Sequence, residues 1–557
     1  MDKIIIYQVL PRLFGNMNKK LVENGDLSQN GCGKLCDFTE ERLQEIKALG
    51  ATHIWYTGVI EHATQTNYEK FGIRRDHPAV VKGKAGSPYA IKDYYDIDPD
   101  LAVDVKKRTK EFDELVKRTH KAGLKVILDF VPNHVARQYY SDHKPKGVKD
   151  LGEEDVKEVA FSNQNNFYYL VGQSFEGHID RYAGEKEPYT ETPCKVTGND
   201  FFANNPGIYE WYETVKLNYG VDYRNGHYQD FLPTPNTWTK MFDILSYWCE
   251  AGVDAFRCDM AEMVPVEFWS WVIPSIKEKY PKVLFIAETY DPSQYRRFIF
   301  DGKFDYLYDK VGLYDTLRGI MRNENSCHSI TACWQSLHGI ESHMLNFLEN
   351  HDEQRIASDF FASDAAKGKP AMVISACINQ GPIMLYFGQE LGEKAMEKSG
   401  FSGIDGRTTI FDYWAVPTIQ RWLSNKSTKE EEKLRNYYAS LLNVCKNEKA
   451  IAEGSFFDLT YANFNNPDYN TNKQYAFFRK HEKEVLLIVV NFENNDVKLK
   501  INIPQHAFDV MQIPDEGQEI QFTDLLTGKQ FKRKMSCNAP FSIDIKQNDG
   551  VILKFNL

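Results

Sequence analysis

Gly252-Val-Asp-Ala-Phe-Arg-Cys-Asp259 is a short, largely apolar stretch that ends on a carboxylate. Just before it, Trp238, Met241, Phe242, Leu245, Trp248 and Cys249 recur at i, i+3, i+4, i+7 spacing, the pattern of a helix with one face on a core. Gly252 stands where such a helix ends, so the octet reads as a buried strand. On a strand, Arg257 and Asp259 lie two residues apart and point to the same side. Taken alone, a buried Arg-x-Asp reads as a structural ion pair. Its neighbours along the chain decide whether it is more.

Upstream, residues 4–10, 52–57 and 125–131 are near-continuously apolar. Between them lie two amphipathic helices. One opens at Thr39, carries Leu43, Ile46 and Leu49, and closes at Gly50; the other carries Phe112, Leu115, Val116 and Thr119 and ends by Gly123. Strands of this kind belong to a parallel sheet covered on both faces. Downstream, residues 283–288, 304–308, 343–349 and 382–387 repeat the strand pattern, again with helical sequence between them. Eight strand–helix units in about 450 residues predict an α/β fold, the (β/α)8 TIM barrel.

Two stretches break the alternation. Residues 133–222 are polar, rich in Asn, Gly and Tyr, and too long for an ordinary loop, which predicts a subdomain inserted after the third strand. From 452 to 557 the pattern turns to alternating apolar–polar runs, such as Gln474 to Arg479 and Val485 to Val490, with turn signals at Asn494-Asn495 and Thr527-Gly528. That predicts a C-terminal antiparallel β-sandwich, with Phe456, Phe457, Tyr461, Tyr475, Phe477 and Phe478 in its core. The barrel then comprises residues 1–132 and 223–451.

The chain has 557 residues, 67 basic and 78 acidic, for a formal charge of −11. This balance argues against a nucleic-acid or anionic-membrane partner. Ten cysteines are scattered without a second Cys or His pair at zinc spacing and read as reduced core thiols. No run approaches the ~18 apolar residues of a membrane span. The apolar run Ile4-Ile5-Ile6 is too short for a signal-peptide core. The chain as it stands is expected in the cytoplasm, or outside the cell if a leader has been removed.

Acids and histidines recur at the C-terminal ends of the predicted strands. Asp129 lies late on the third, followed by Asn133 and His134; Asp259 ends the fourth, Glu288 the fifth, and His351 and Asp352 follow the seventh. The strand-to-helix loops of a barrel converge at that rim, where its chemistry sits. No pair of histidines at metal spacing, no Gly-rich phosphate loop after a strand and no Gly-x-Ser-x-Gly elbow is present. Paired carboxylates beside an arginine are what glycosidic cleavage requires.

On these motifs the chain resembles the α-amylase family of glycoside hydrolases (family 13). Its four short blocks appear in order: Asp129-Phe-Val-Pro-Asn-His134, Gly252 to Asp259, Ile286-Ala-Glu288 and Asn350-His-Asp352. The resemblance implies that Asp259 is the nucleophile, Glu288 the general acid/base and Asp352 the stabiliser of the transition state. It further implies that Arg257 holds Asp259 ionised, that His134 and His351 bind sugar hydroxyls, that Tyr89 stacks under the ring, and that Asp129 supports Arg257. The expected activity is retaining hydrolysis of α-1,4 bonds in starch or maltodextrin, with the two carboxyls roughly 5–5.5 Å apart. The same blocks also occur in α-1,6-cleaving, neopullulanase-like and glucanotransferase members. A non-catalytic carbohydrate-binding protein is disfavoured, since all three acids stand. No cofactor is needed for this chemistry.

Two departures accompany the resemblance. Many amylases carry a Lys–His pair three and four residues after the nucleophile; here Glu262 and Met263 stand there. A structural calcium in the family takes Asn133 and an Asp at the position of Lys216 in Val215-Lys-Leu-Asn218. A cation does not share a site with calcium, so the Lys216 ammonium is expected in the calcium's place, near Asn133.

Overall fold

The computed structural model describes residues 3–514 and 519–557. Eight parallel strands close into a barrel: β1 (Ile5–Val9), β2 (His53–Tyr56), β3 (Lys125–Phe130), β4 (Ala255–Cys258), β5 (Leu284–Ala287), β6 (Tyr306–Tyr308), β7 (Met344–Phe347) and β8 (Ile383–Tyr386). β1 pairs with both β2 and β8, which closes the ring. All eight lie inside the ranges expected from the sequence, trimmed at their ends.

The strands are largely apolar because both of their faces are buried. Ile6, Trp55, Ile127, Ala255, Ile286, Tyr308, Leu345 and Met384 fill the barrel interior as one cluster. Their neighbours in sequence, such as Val126, Leu128, Phe256 and Phe285, pack outward against the helices. That period of two carries a consequence for the rim. Two residues after the interior Ile127, Ala255 and Ile286 come Asp129, Arg257 and Glu288, so each aims inward one layer higher. The register sets Arg257 directly beside Asp129.

Helices cover the outside. Thr39 caps the helix Glu40–Ala48 by accepting the Arg42 N–H. The helix Asn236–Glu250 presents Trp238, Met241, Leu245 and Trp248 to the core. Gly252, at φ +93°, then turns the chain into β4 in a conformation that favours glycine.

The insertion after β3 has its own apolar cluster around Tyr168, Leu170, Phe175 and Tyr189. It is tied back by an antiparallel pair, His134–Ala136 with Thr214–Lys216, in which His134 faces Lys216. At the C-terminal end a six-stranded antiparallel sheet and a two-stranded sheet enclose a separate core. Phe457 and Phe478 lie in that core as expected, whereas Tyr475 and Phe477, on the other face of their strand, are buried in the barrel's cluster, with Phe456 half-buried against it. Tyr461 is not a core residue: it is 50% exposed. It sits on the short helical turn Thr460–Asn463, where the alternation of a strand does not apply. Among the described residues no helix is long and apolar enough to cross a membrane.

Candidate active site

The site grows from one buried cation. Arg257 is 1% exposed, and a guanidinium out of water must be matched by acids. Nη1 meets Asp259 Oδ1 at 2.6 Å and Asp129 Oδ1 at 3.4 Å. Nη2 lies 2.8 Å from Glu288 Oε1, an ion pair whose angles are not those of a hydrogen bond. Tyr308 accepts from Nε at 3.2 Å. The rings of Trp55, Tyr89 and Tyr308 surround the guanidinium carbon at 5.2 to 5.5 Å. Trp55 also donates from Nε1 to Asp129 Oδ2 at 2.8 Å.

Asp129, Arg257, Asp259 and Glu288 are therefore one network. Arg257 favours the ionised form of Asp259, as expected, but one guanidinium serves three buried acids. Burial pushes the Asp259 carboxyl well above the usual range, the Glu288 charge adds to this, and Arg257 opposes both without winning. Burial likewise raises Asp129 against the pull of Arg257.

The remaining residues expected at the site line the same cleft, about 230 Å³ in volume, with Asp259 and Glu288. The Tyr89 hydroxyl meets His351 Nε2 at 2.6 Å, and the two rings stack at 5.1 Å. His351 Nε2 is also 3.0 Å from Asp352 Oδ2. The Asp352 side chain is 43% exposed and faces the cleft. His134 lies with Nε2 3.9 Å from Asp259 Oδ2. Burial, then the Lys216 and Lys82 charges, lower its pKa to about 3, so it is a neutral hydrogen-bonding ring.

Lys216 lies beside Asn133. Nζ donates to Asn133 Oδ1 at 2.8 Å and pairs with Asp200 Oδ1 at 2.5 Å. The donor set around Asn133 therefore does not fit a metal cation: the one side-chain oxygen it would offer is already bound to an ammonium. Glu262 turns away from the cleft floor, and its Oε2 accepts the N–H groups of Tyr290 and Asp291 at 2.9 and 3.0 Å.

Several cleft residues escaped the reading of the sequence. Tyr290 donates its hydroxyl to Glu288 Oε1 at 2.6 Å. Trp211 lies with its ring 5.1 Å from that of His134. Lys82 and Glu213, from the second loop and the insertion, form a buried pair at 3.0 Å. Tyr290 had one available signal, its place two residues after Glu288. The others come from irregular segments whose fold no periodicity reveals.

Comparison with known proteins agrees with this geometry. The family described as "Alpha amylase, catalytic domain" matches residues 8–511. Alpha-amylase 2 of Dictyoglomus thermophilum is 22% identical over 506 residues, 90% of this chain and 71% of that protein. A cyclomaltodextrinase of Thermoanaerobacter pseudethanolicus is 21% identical over 528 residues, 92% of this chain and 74% of that protein. Among solved structures, a noncanonic maltogenic α-amylase from Thermotoga neapolitana superposes with a TM-score of 0.62 at 20% identity, covering 100% of this chain and 99% of that one.

Proposed function

The chain belongs to the α-amylase family of glycoside hydrolases, and on that premise we propose that it hydrolyses α-1,4-glucosidic bonds of starch or maltodextrin by double displacement, with retention. The observation that carries this reading is the arrangement of Asp259 and Glu288 on the two terminal nitrogens of Arg257, at the mouth of a cleft lined by Tyr89, His134, His351 and Asp352. Two carboxyls flanking one cation supply the two groups that the reaction needs, one to attack the anomeric carbon and one to protonate the leaving oxygen.

In this reading Asp259 attacks the anomeric carbon while the proton of Glu288 passes to the leaving oxygen. Asp352 binds sugar hydroxyls and stabilises the positive charge that develops on the ring. Tyr89 supplies an apolar face beneath the sugar, fixed by its bond to His351. His134 and His351 bind hydroxyls, and Asp129 with Trp55 holds Arg257 in place. We also infer that the Lys216 ammonium takes the place of a structural calcium at Asn133, so that neither folding nor chemistry draws on a metal there.

The test is a product profile on maltoheptaose, with pullulan as the competing substrate. Cleavage of maltoheptaose is expected to exceed that of pullulan. Glu288→Gln is expected to lose about 10²–10⁴ in rate while still binding the oligosaccharide. Preferred cleavage of pullulan at its 1,6 bonds would reassign the linkage.

A further inference from the structure

Glu288 is gripped from a direction that the four blocks do not describe. Besides its ion pair with Arg257, it accepts two hydrogen bonds: the Tyr290 hydroxyl on Oε1 at 2.6 Å, and the Met260 N–H on Oε2 at 2.7 Å. Met260 presents that N–H from left-handed backbone, φ +44°, which an unbranched non-glycine residue adopts only where its surroundings enforce it. Tyr290 is held in turn by Glu262, through the backbone N–H groups of Tyr290 and Asp291. Glu262 is one of the two residues standing where many relatives place a Lys–His pair. Its carboxylate is spent on the loop after β5.

Resting on the reading of Glu288 as the acid/base, we propose that Tyr290 is a positioning residue for that group and that Glu262 is what places Tyr290. The reason lies in what each partner of Glu288 can do. An arginine N–H and a backbone N–H only donate. A phenol hydroxyl donates to a carboxylate and accepts from a carboxylic acid. Glu288 passes between these two forms in every turnover. Its proton goes to the glycosidic oxygen as the C1–O bond breaks and the Asp259–C1 bond forms. A proton comes back from the water whose oxygen then displaces Asp259 from C1. Of the three partners described, the Tyr290 hydroxyl alone can follow both states by turning its O–H. It remains a phenol throughout, because burial, then the Glu288 charge, hold its pKa far above the tyrosine range.

Tyr290→Phe removes one hydroxyl and keeps the ring. A hydrogen bond donated to a carboxylate favours its charged form, so losing that bond favours the protonated form of Glu288. The alkaline limb of kcat/KM, where the acid gives up its proton, is expected to move up by about one pH unit. On maltoheptaose kcat is expected to fall roughly 10–100-fold. On an aryl maltoside with a good leaving group, whose departure needs little protonation, it is expected to fall less than about threefold. Glu262→Ala is expected to shift the limb in the same direction, while Glu262→Gln, which keeps an acceptor oxygen, leaves it in place. Should Tyr290→Phe not fold, Glu262→Ala carries the test. An unmoved alkaline limb, or equal losses on the two substrates, overturns the proposal. Full activity in Glu288→Gln is a separate outcome, which would remove the acid role of Glu288 and this proposal with it.

Discussion

Replacing Arg257 by methionine isolates what the central cation does. The side chain keeps a similar apolar reach and loses its charge, leaving Asp259, Glu288 and Asp129 buried together with no guanidinium at 2.6, 2.8 and 3.4 Å. Removing one partner of a buried ion pair typically costs about 3–5 kcal/mol. The loss does not triple with three acids, because an acid stripped of its cation takes up a proton instead. The sign follows from linkage. With Arg257 gone the folded pKa values of Asp259 and Asp129, already raised by burial, rise further, so the folded state binds more protons than the unfolded chain, whose carboxyls titrate near ~4. Stability relative to the parent is then nearly restored near pH 4 and is lost as pH climbs above it. For one additional proton the deficit grows by about 2.7 kcal/mol between pH 5.5 and 7.5. Urea unfolding followed by tryptophan fluorescence at pH 5.5, 6.5 and 7.5 measures it. A deficit that does not change with pH would refute the view that Arg257 chiefly neutralises the acids. A deficit that shrinks as pH rises would refute it more strongly.

Other expectations follow from single contacts. Because burial raises Asp259, the acid limb of the kcat/KM profile of the parent enzyme is expected above the ordinary carboxylate range of about 4, with activity rising with pH as the nucleophile ionises. A chelator is expected to leave the thermal midpoint of the parent unchanged. Lys216→Asp, which sets a second acid near Asn133 and Asp200, is expected to make that midpoint rise with added calcium, as read by calorimetry. Tyr89→Phe loses the 2.6 Å contact with His351 and is expected to raise KM more than it lowers kcat, since the ring face that meets the sugar remains. In the C-terminal sandwich, Leu487→Ala is expected to cost about 2–5 kcal/mol of stability without altering kcat.

The barrel was legible because its strands are buried on both faces, so a near-continuous apolar run marks each one, down to the short β6. The acids of the site were legible for the same geometric reason. Asp129, Arg257 and Glu288 sit two residues beyond interior apolar positions, and a period of two carries them to the rim. What the sequence does not display is how one charge is divided. Arg257 and Asp259 lie two residues apart at the end of one strand, but Glu288 follows the next strand, and only the pairing of β4 with β5 brings both carboxyls onto one guanidinium. Tyr290 stayed hidden as one of 31 tyrosines, in a loop whose path depends on Glu262 reaching it from the loop after β4. Trp211 and Glu213 lie in the insertion, which is built from strands of two or three residues, too short for any pattern. Tyr461 was misplaced because alternation was carried past the end of a strand into a turn.

The most direct test of the account is the configuration of the first product. Proton NMR of maltoheptaose hydrolysis, read before mutarotation, is expected to show the new reducing end as the α-anomer, through a glycosyl ester on Asp259. A β-anomer at first appearance would mean single displacement by water, and Asp259 would lose the role of nucleophile.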